Sequence, residues 1–173
     1  MNDVLEFWFQ TLSPSDHYKK SDELDATIRR KFEATYHRIV AGETSDWRDS
    51  AKGRLAEILV LDQFSRNMFR GTPMAFAADP VALVLSQEAV RSGADKALDD
   101  KKRAFLYMPY MHSESLRVHE QAMELFRDLP NLAYEKKHKA IIDRFGRYPH
   151  RNDVLGRVST AEEIEWMKTN TGF

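Results

Sequence analysis

The sequence has no cysteine, which excludes disulfides, thiolate zinc sites and cysteine nucleophiles together and fits a reducing, cytoplasmic setting. Glycine and proline are scarce, seven and six in 173 residues, which disfavours turn-rich architectures. Long apolar runs are also missing: Ile58 to Leu61 and Val81 to Leu85 cover only a few positions, against the about 20 needed to cross a bilayer. The opening MNDVLEFWFQ has an acidic residue and no basic one ahead of its apolar stretch, unlike a secretion signal. Nor is there an excess of one charge. The net charge is −1 with 31% charged residues, so no overall field draws the molecule to nucleic acid or to a membrane, and any anion binding must be local.

What is present is helical periodicity. Apolar residues recur at three- and four-residue spacings throughout, which predicts an all-α fold of stacked antiparallel helical hairpins, roughly seven to eight helices in a single domain over residues 1–173. Asn2 or Asp3 is expected to cap a first helix that ends near Ser13-Pro14, and a second runs from about Asp22 to Val40 with Gly42 as its stop. A third spans about Trp47 to Phe69 and closes at Gly71-Thr72-Pro73. Asp79-Pro80 starts a fourth that ends at Gly93. Pro109 is expected to bend or break the helix opened by Asp99 or Asp100, and a new run then spans about His112 to Leu129. Another helix follows Pro130-Asn131 to about Phe145. Residues 146–158 show no periodicity, and a long ordered loop is uncommon unless it has a task. Thr160 and Glu163 form a capping box for a last helix.

Polar residues interrupt the apolar stripes in three places. On a wheel of about 100° per residue, the stripe of Leu55, Ile58 and Leu59 continues into Asp62 and Arg66, with Arg70 beside it and Gln63 and Asn67 on the adjoining arc. This arrangement is either an Asp62–Arg66 ion pair at a helix end or a polar arc facing a cleft. His112 and His119 occupy the centre of the next apolar face, with Glu114 at its edge, and His138 lies on the stripe of Tyr134, Ile141 and Ile142. A lone inward histidine is more often a hydrogen-bonded core residue than a catalyst, and His119 and His138 are read first in that way. His112 is expected in the first turn after the proline break, where free N–H groups favour an anion. The segment Arg144, Arg147, His150, Arg151, Asn152 and Arg157 carries a local positive excess suited to carboxylate or phosphate oxygens, or else clamps acidic helix ends.

The expected catalytic residues are accordingly His112, Glu114 and Asp62, and the expected ligand-binding residues Arg66, Arg70, Arg144, Arg147, His150, Arg151 and Asn152. No metal is expected: Glu135-x-x-His138 has the spacing of half a di-iron site, but no second copy exists. No glycine-rich signature points to a nucleotide cofactor, and none is expected. The partner is a small anionic ligand, with or without catalysis; the alternative is a protein-interaction module for an acidic peptide, a partner helix or a second copy.

Three segments carry a resemblance over nearly the whole chain: Leu61-Asp62-Gln63-Phe64-Ser65-Arg66-Asn67-Met68-Phe69-Arg70, Pro109-Tyr110-Met111-His112-Ser113-Glu114, and Arg144-Phe145-Gly146-Arg147-Tyr148-Pro149-His150-Arg151-Asn152 followed by Leu155-Gly156-Arg157. In this order they resemble the bacterial family known as domain of unknown function 924. The resemblance implies a tetratricopeptide-like all-helical fold and supplies no activity and no catalytic residues.

Overall fold

The N-terminal aromatic cluster is helical in the computed structural model, which describes residues 1–170. Helix α1 (Asn2–Glu6) widens into a π-helical turn, Phe7–Thr11, that buries Phe7 and Trp8. Met1, and not Asn2 or Asp3, stands at its N-cap. The Ser21 hydroxyl accepts the Leu24 N–H at 3.2 Å and opens α2 (Asp22–Val40), whose buried face is Ile28, Phe32, Tyr36 and Ile39.

The third helix differs from its expected form at both ends and in the middle. Residues Ser45–Asp49 make a separate 3-10 turn, and α3 (Ala51–Leu59) begins only at the Ser50 cap. Gly53 permits this close approach, since a Cβ there would lie 1.9 Å from the Trp47 carbonyl oxygen. After Leu59 the rod passes through a π-helical turn, Val60–Phe64, before α4 (Ser65–Met68). The Ser65 N–H reaches back five residues to the Val60 carbonyl. One extra residue in the turn rotates everything after it, a distortion often found at functional sites.

Helix α5 (Asp79–Arg91) follows a 3-10 turn at Pro73–Ala75. The Asp99 carboxylate accepts the Lys102 N–H at 2.9 Å and caps α6 (Asp100–Met111). Pro109 does not break α6. The helix continues to Met111 because Ala104 to Met111 are all buried, and packing outweighs the one backbone bond proline forfeits. The fully buried Ser86 hydroxyl donates to the Leu106 carbonyl in the same stretch. Helix α7 (Leu116–Leu125) starts later than expected, α8 (Leu132–Phe145) ends at Gly146 with φ 67°, and α9 (Ala161–Met167) opens with the expected capping box of Thr160 and Glu163.

Among the described residues there is no strand, and no helix is long and apolar enough to cross a membrane. Consecutive helices from α5 to α8 pack side by side across short connections. The main core runs from Val4 to Leu129 and centres on Trp8, Phe64, Leu106 and Phe126; each such side chain contributes about 1.5–3 kcal/mol by leaving water. A second, smaller cluster of Ile141, Ile142 and Tyr148, with Phe145 and Trp166 against it, lies beneath the segment that follows α8.

Candidate functional site

The aperiodic segment 146–158 is ordered because it pins the end of α6. The Tyr148 hydroxyl donates to the Met111 carbonyl at 2.6 Å, Arg151 Nη2 donates to the His112 carbonyl at 3.0 Å, and the Tyr148 N–H donates to Glu114 Oε1 at 2.7 Å. From α7, His119 Nε2 lies 2.8 Å from the Ser113 carbonyl. Four successive residues, Met111 to Glu114, are thereby fixed from outside their own helix. This is the structural meaning of the tyrosine and arginines after Gly146.

His112 is consequently held in place, although not as expected. It is the C-terminal cap residue of α6, its N–H already bonded to the Met108 carbonyl at 3.0 Å, so the free N–H groups expected of a helix start are absent. Its Nδ1 lies 2.8 Å from Asp62 Oδ1. Because a carboxylate only accepts, Nδ1 is the donor in this bond, and in the neutral ring Nε2 carries the lone pair. The imidazole is 16% exposed, whereas the Asp62 side chain is 1% exposed. Asp62 also accepts from Gln63 Nε2 at 2.6 Å and lies 3.4 Å from Arg66 Nη1. Against the cost of complete burial, His112 and Arg66 hold the Asp62 carboxyl well below the ordinary carboxylate range.

Arg66 and Arg151 meet at a second carboxylate. Arg66 donates to both oxygens of Asp79 at 3.0 Å, and Arg151 Nη1 reaches Asp79 Oδ2 at 3.4 Å. Burial, reinforced by the negative charge of Asp62, pushes the Asp79 carboxyl above its ordinary value despite the two guanidinium groups. Arg151 is flanked by two rings, 4.5 Å from the Tyr148 centroid and 4.7 Å from that of Phe76. It is 7% exposed, and its Nε finds no acceptor among the described residues.

His138 completes this side, its ring 6.3 Å from His112 and 5.8 Å from Tyr148. Burial drives its pKa from 6.5 down to about 3. Behind it, the fully buried His119 sets Nδ1 at 2.6 Å from Glu135 Oε1. Its Nε2 faces the Ser113 carbonyl and the Tyr148 hydroxyl, so both ring nitrogens have partners within the core, while Glu135 Oε2 finds none among the described residues.

The remaining expected site residues go elsewhere. Arg70 and Asn67 both bind Asp25 of α2, since the π-helical turn swings the end of the rod away from the stripe that a straight wheel continues. Arg144 pairs with Glu162 in the open, both side chains more than half exposed. Arg147 embraces Glu163 at 2.7 and 2.8 Å and also donates to the Val158 carbonyl. Glu114 gives both oxygens to Arg157, at 2.6 and 2.9 Å. Asn152 bridges Arg157 to Ser159 and Glu163. The His150 ring lies tilted against that of Tyr148, centroids 5.6 Å apart, its pKa lowered by burial to about 4. The structure thus gathers Asp62, Arg66, His112 and Arg151, and joins Arg144, Arg147, Asn152 and Glu114 to the clamps that hold α9 and the loop.

Two participants escape a sequence reading. Asp79 looks like a helix cap, and nothing local says that it meets Arg66. Phe76 carries no signal at all. Among the described residues no three His, Asp or Glu side chains converge as metal ligands. A surface groove of about 650 Å3 lies between α5 and α7 over Tyr110 and contains none of the cluster residues.

The comparisons match this architecture. A structure of a protein of unknown function from Agrobacterium tumefaciens, ATU0120, superposes with a TM-score of 0.93 at 34% identity, over 98% of this chain and 97% of that one. No curated protein matches. The profile of the family described as bacterial protein of unknown function, DUF924, matches residues 4–171, and the chain therefore belongs to the DUF924 family.

Proposed function

We propose that the Asp62–His112–Arg66–Arg151 cluster is a small-molecule site for a phosphate- or carboxylate-bearing ligand, with Arg151 gripping the anion and His112 Nε2 orienting it or exchanging a proton with it. The observation that carries this reading is Arg151. A buried guanidinium ordinarily spends its five donors, and one left with a carbonyl, a 3.4 Å carboxylate contact and an orphaned Nε is short of acceptors by about an anion's worth. Asp62 supports the same reading, because a carboxylate behind an imidazole fixes the tautomer that a general base needs. The cysteine-free composition favours a cytoplasmic setting for such a site.

A thermal-shift panel of phosphorylated and carboxylated metabolites tests it. The wild type should be stabilised by at least one compound, and a protein carrying H112Q and R151K by none. Equal responses from the two proteins would sink the assignment. A second reading, a docking module for a protein partner, draws on the groove between α5 and α7, where Val84 stands 61% exposed. It expects V84E to abolish partner capture and to leave metabolite responses intact.

A further inference from the structure

We propose that the Asp79 carboxylate is a resident stand-in for the ligand, occupying the anion position between Arg66 and Arg151 until an incoming phosphate or carboxylate displaces it. The proposal rests on the anion-site reading above and assigns its mode of entry.

Formal charge at the cluster is balanced, with Arg66 and Arg151 set against Asp62 and Asp79, so an added anion needs one carboxylate to move. Asp62 is 1% exposed and locked by His112, Gln63 and Arg66. Asp79 is 18% exposed and stands on the solvent side beside Arg66 at 21%. Only Asp79 can rotate into water without opening the core.

Its geometry is already that of a bound anion. Two oxygens lie 3.0 Å from the two Nη atoms of Arg66, and one of them extends to Arg151. That fork-to-fork arrangement is how guanidinium groups take carboxylate and phosphate. The fit to Arg151 is incomplete: the contact is long and Nε stays unserved. A ligand with three oxygens supplies an acceptor that a two-oxygen side chain cannot.

Asp79 is also not engaged in capping its own helix. It is the first residue of a 13-residue helix, yet the N-cap is Ala78 and no side chain caps the first turn. Asp99, which caps α6 through the Lys102 N–H, stands one position earlier relative to its helix, at the N-cap itself. An aspartate at the N-cap satisfies those donors; Asp79, at the first helical position, is not tied to that task and faces the guanidinium groups. Displacement breaks and forms no covalent bond and needs no co-reactant.

The test uses inorganic phosphate on the full chain. Titration calorimetry should give D79N, which keeps the shape and removes the charge, a Kd about tenfold below that of the wild type. Wild-type crystals grown with phosphate should show it on Arg66 and Arg151 with the Asp79 side chain turned away, an observation that holds even if D79N folds poorly. Phosphate bound while Asp79 still chelates Arg66, or a D79N Kd equal to or above that of the wild type, overturns the displacement and leaves the anion site standing. Wild type and R151K binding phosphate alike, or neither wild type nor D79N binding it, overturns both.

Discussion

Mild acid should destabilise this protein well before its carboxylates titrate. Burial, aided by the nearby positive charges, lowers the His138 pKa from 6.5 to about 3, and burial followed by the charge of Arg151 lowers that of His150 to about 4. A depressed histidine is neutral in the fold and protonated in the unfolded chain between the two values. The unfolded state then binds more protons, so stability falls as pH falls from about 6.5. A pH of about 5 lies about 1.5 units below the unfolded value of each group, worth about 2 kcal/mol apiece at about 1.4 kcal/mol per unit.

His150 is partly exposed, and solvent screening trims its share, leaving a combined loss of about 3 kcal/mol between pH 7.5 and 5. His17, lowered by burial, acts with the same sign. Asp79, whose carboxyl is raised, acts against it at the acid end. For a chain of this length about 2–4 °C of Tm accompanies each kcal/mol, so Tm should drop by about 10 °C. Differential scanning calorimetry across that range measures it, and H138Q should remove about two thirds of the slope. A Tm that stays flat down to pH 5, or an H138Q slope equal to that of the wild type, would show that His138 is charged in the fold.

Four further expectations concern the clamps and the close contacts. Y148F removes the donor to the buried Met111 carbonyl and should cost about 1–3 kcal/mol in urea unfolding, the penalty of an unsatisfied buried acceptor. D62N should cost about 3–5 kcal/mol by stripping the charge from a buried pair, whereas R70A, at the partly exposed Asp25 pair, should cost less than about 1 kcal/mol. Glu163, held at a pKa of about 2 by Arg147 and the Thr160 N–H, gives stability that is present above the usual carboxylate range and is lost as pH falls from there toward 2. Proteolysis within α9 should accordingly rise with acid in the wild type and be independent of acid in E163Q. G53A should destabilise by about 1–3 kcal/mol by overpacking against the Trp47 carbonyl, with the melting temperature as readout.

The elements that were legible in the sequence are those fixed by local physics. The period of α2, the Thr160–Glu163 box of α9 and the Asp79-Pro80 start of α5 are each written within a few residues. The π-helical turn at Val60–Phe64 has no such signature. A wheel that assumes a straight α-helix therefore keeps Arg70 beside Arg66, when the real rod delivers it to Asp25. Pro109 misleads for a related reason: its local cost is real, but the burial of Ala104 to Met111 is a tertiary term that no local rule contains. Likewise, the inward direction of His112, His119 and His138 follows from periodicity, while the partner of each does not. His112 took a carboxylate 50 residues away and His119 one 16 residues away.

The arginines after Phe145 show how charge pattern divides between scaffold and site. Arg147 and Arg157 each face a carboxylate with matched two-point geometry, at 2.6 to 2.9 Å. Pairs so well satisfied gain nothing from a further anion, and removing one partner exposes an uncompensated charge. Arg151, one residue before Asn152 in the same loop, has no such match and is held mainly by its flanking rings and one carbonyl. Sequence composition makes the three equivalent, and hydrogen-bond satisfaction separates them. A guanidinium that the fold buries with its Nε unserved has the strongest physical reason to meet an acceptor from outside, and for that reason the proposed site is centred on Arg151 and on the imidazole of His112 whose backbone it holds.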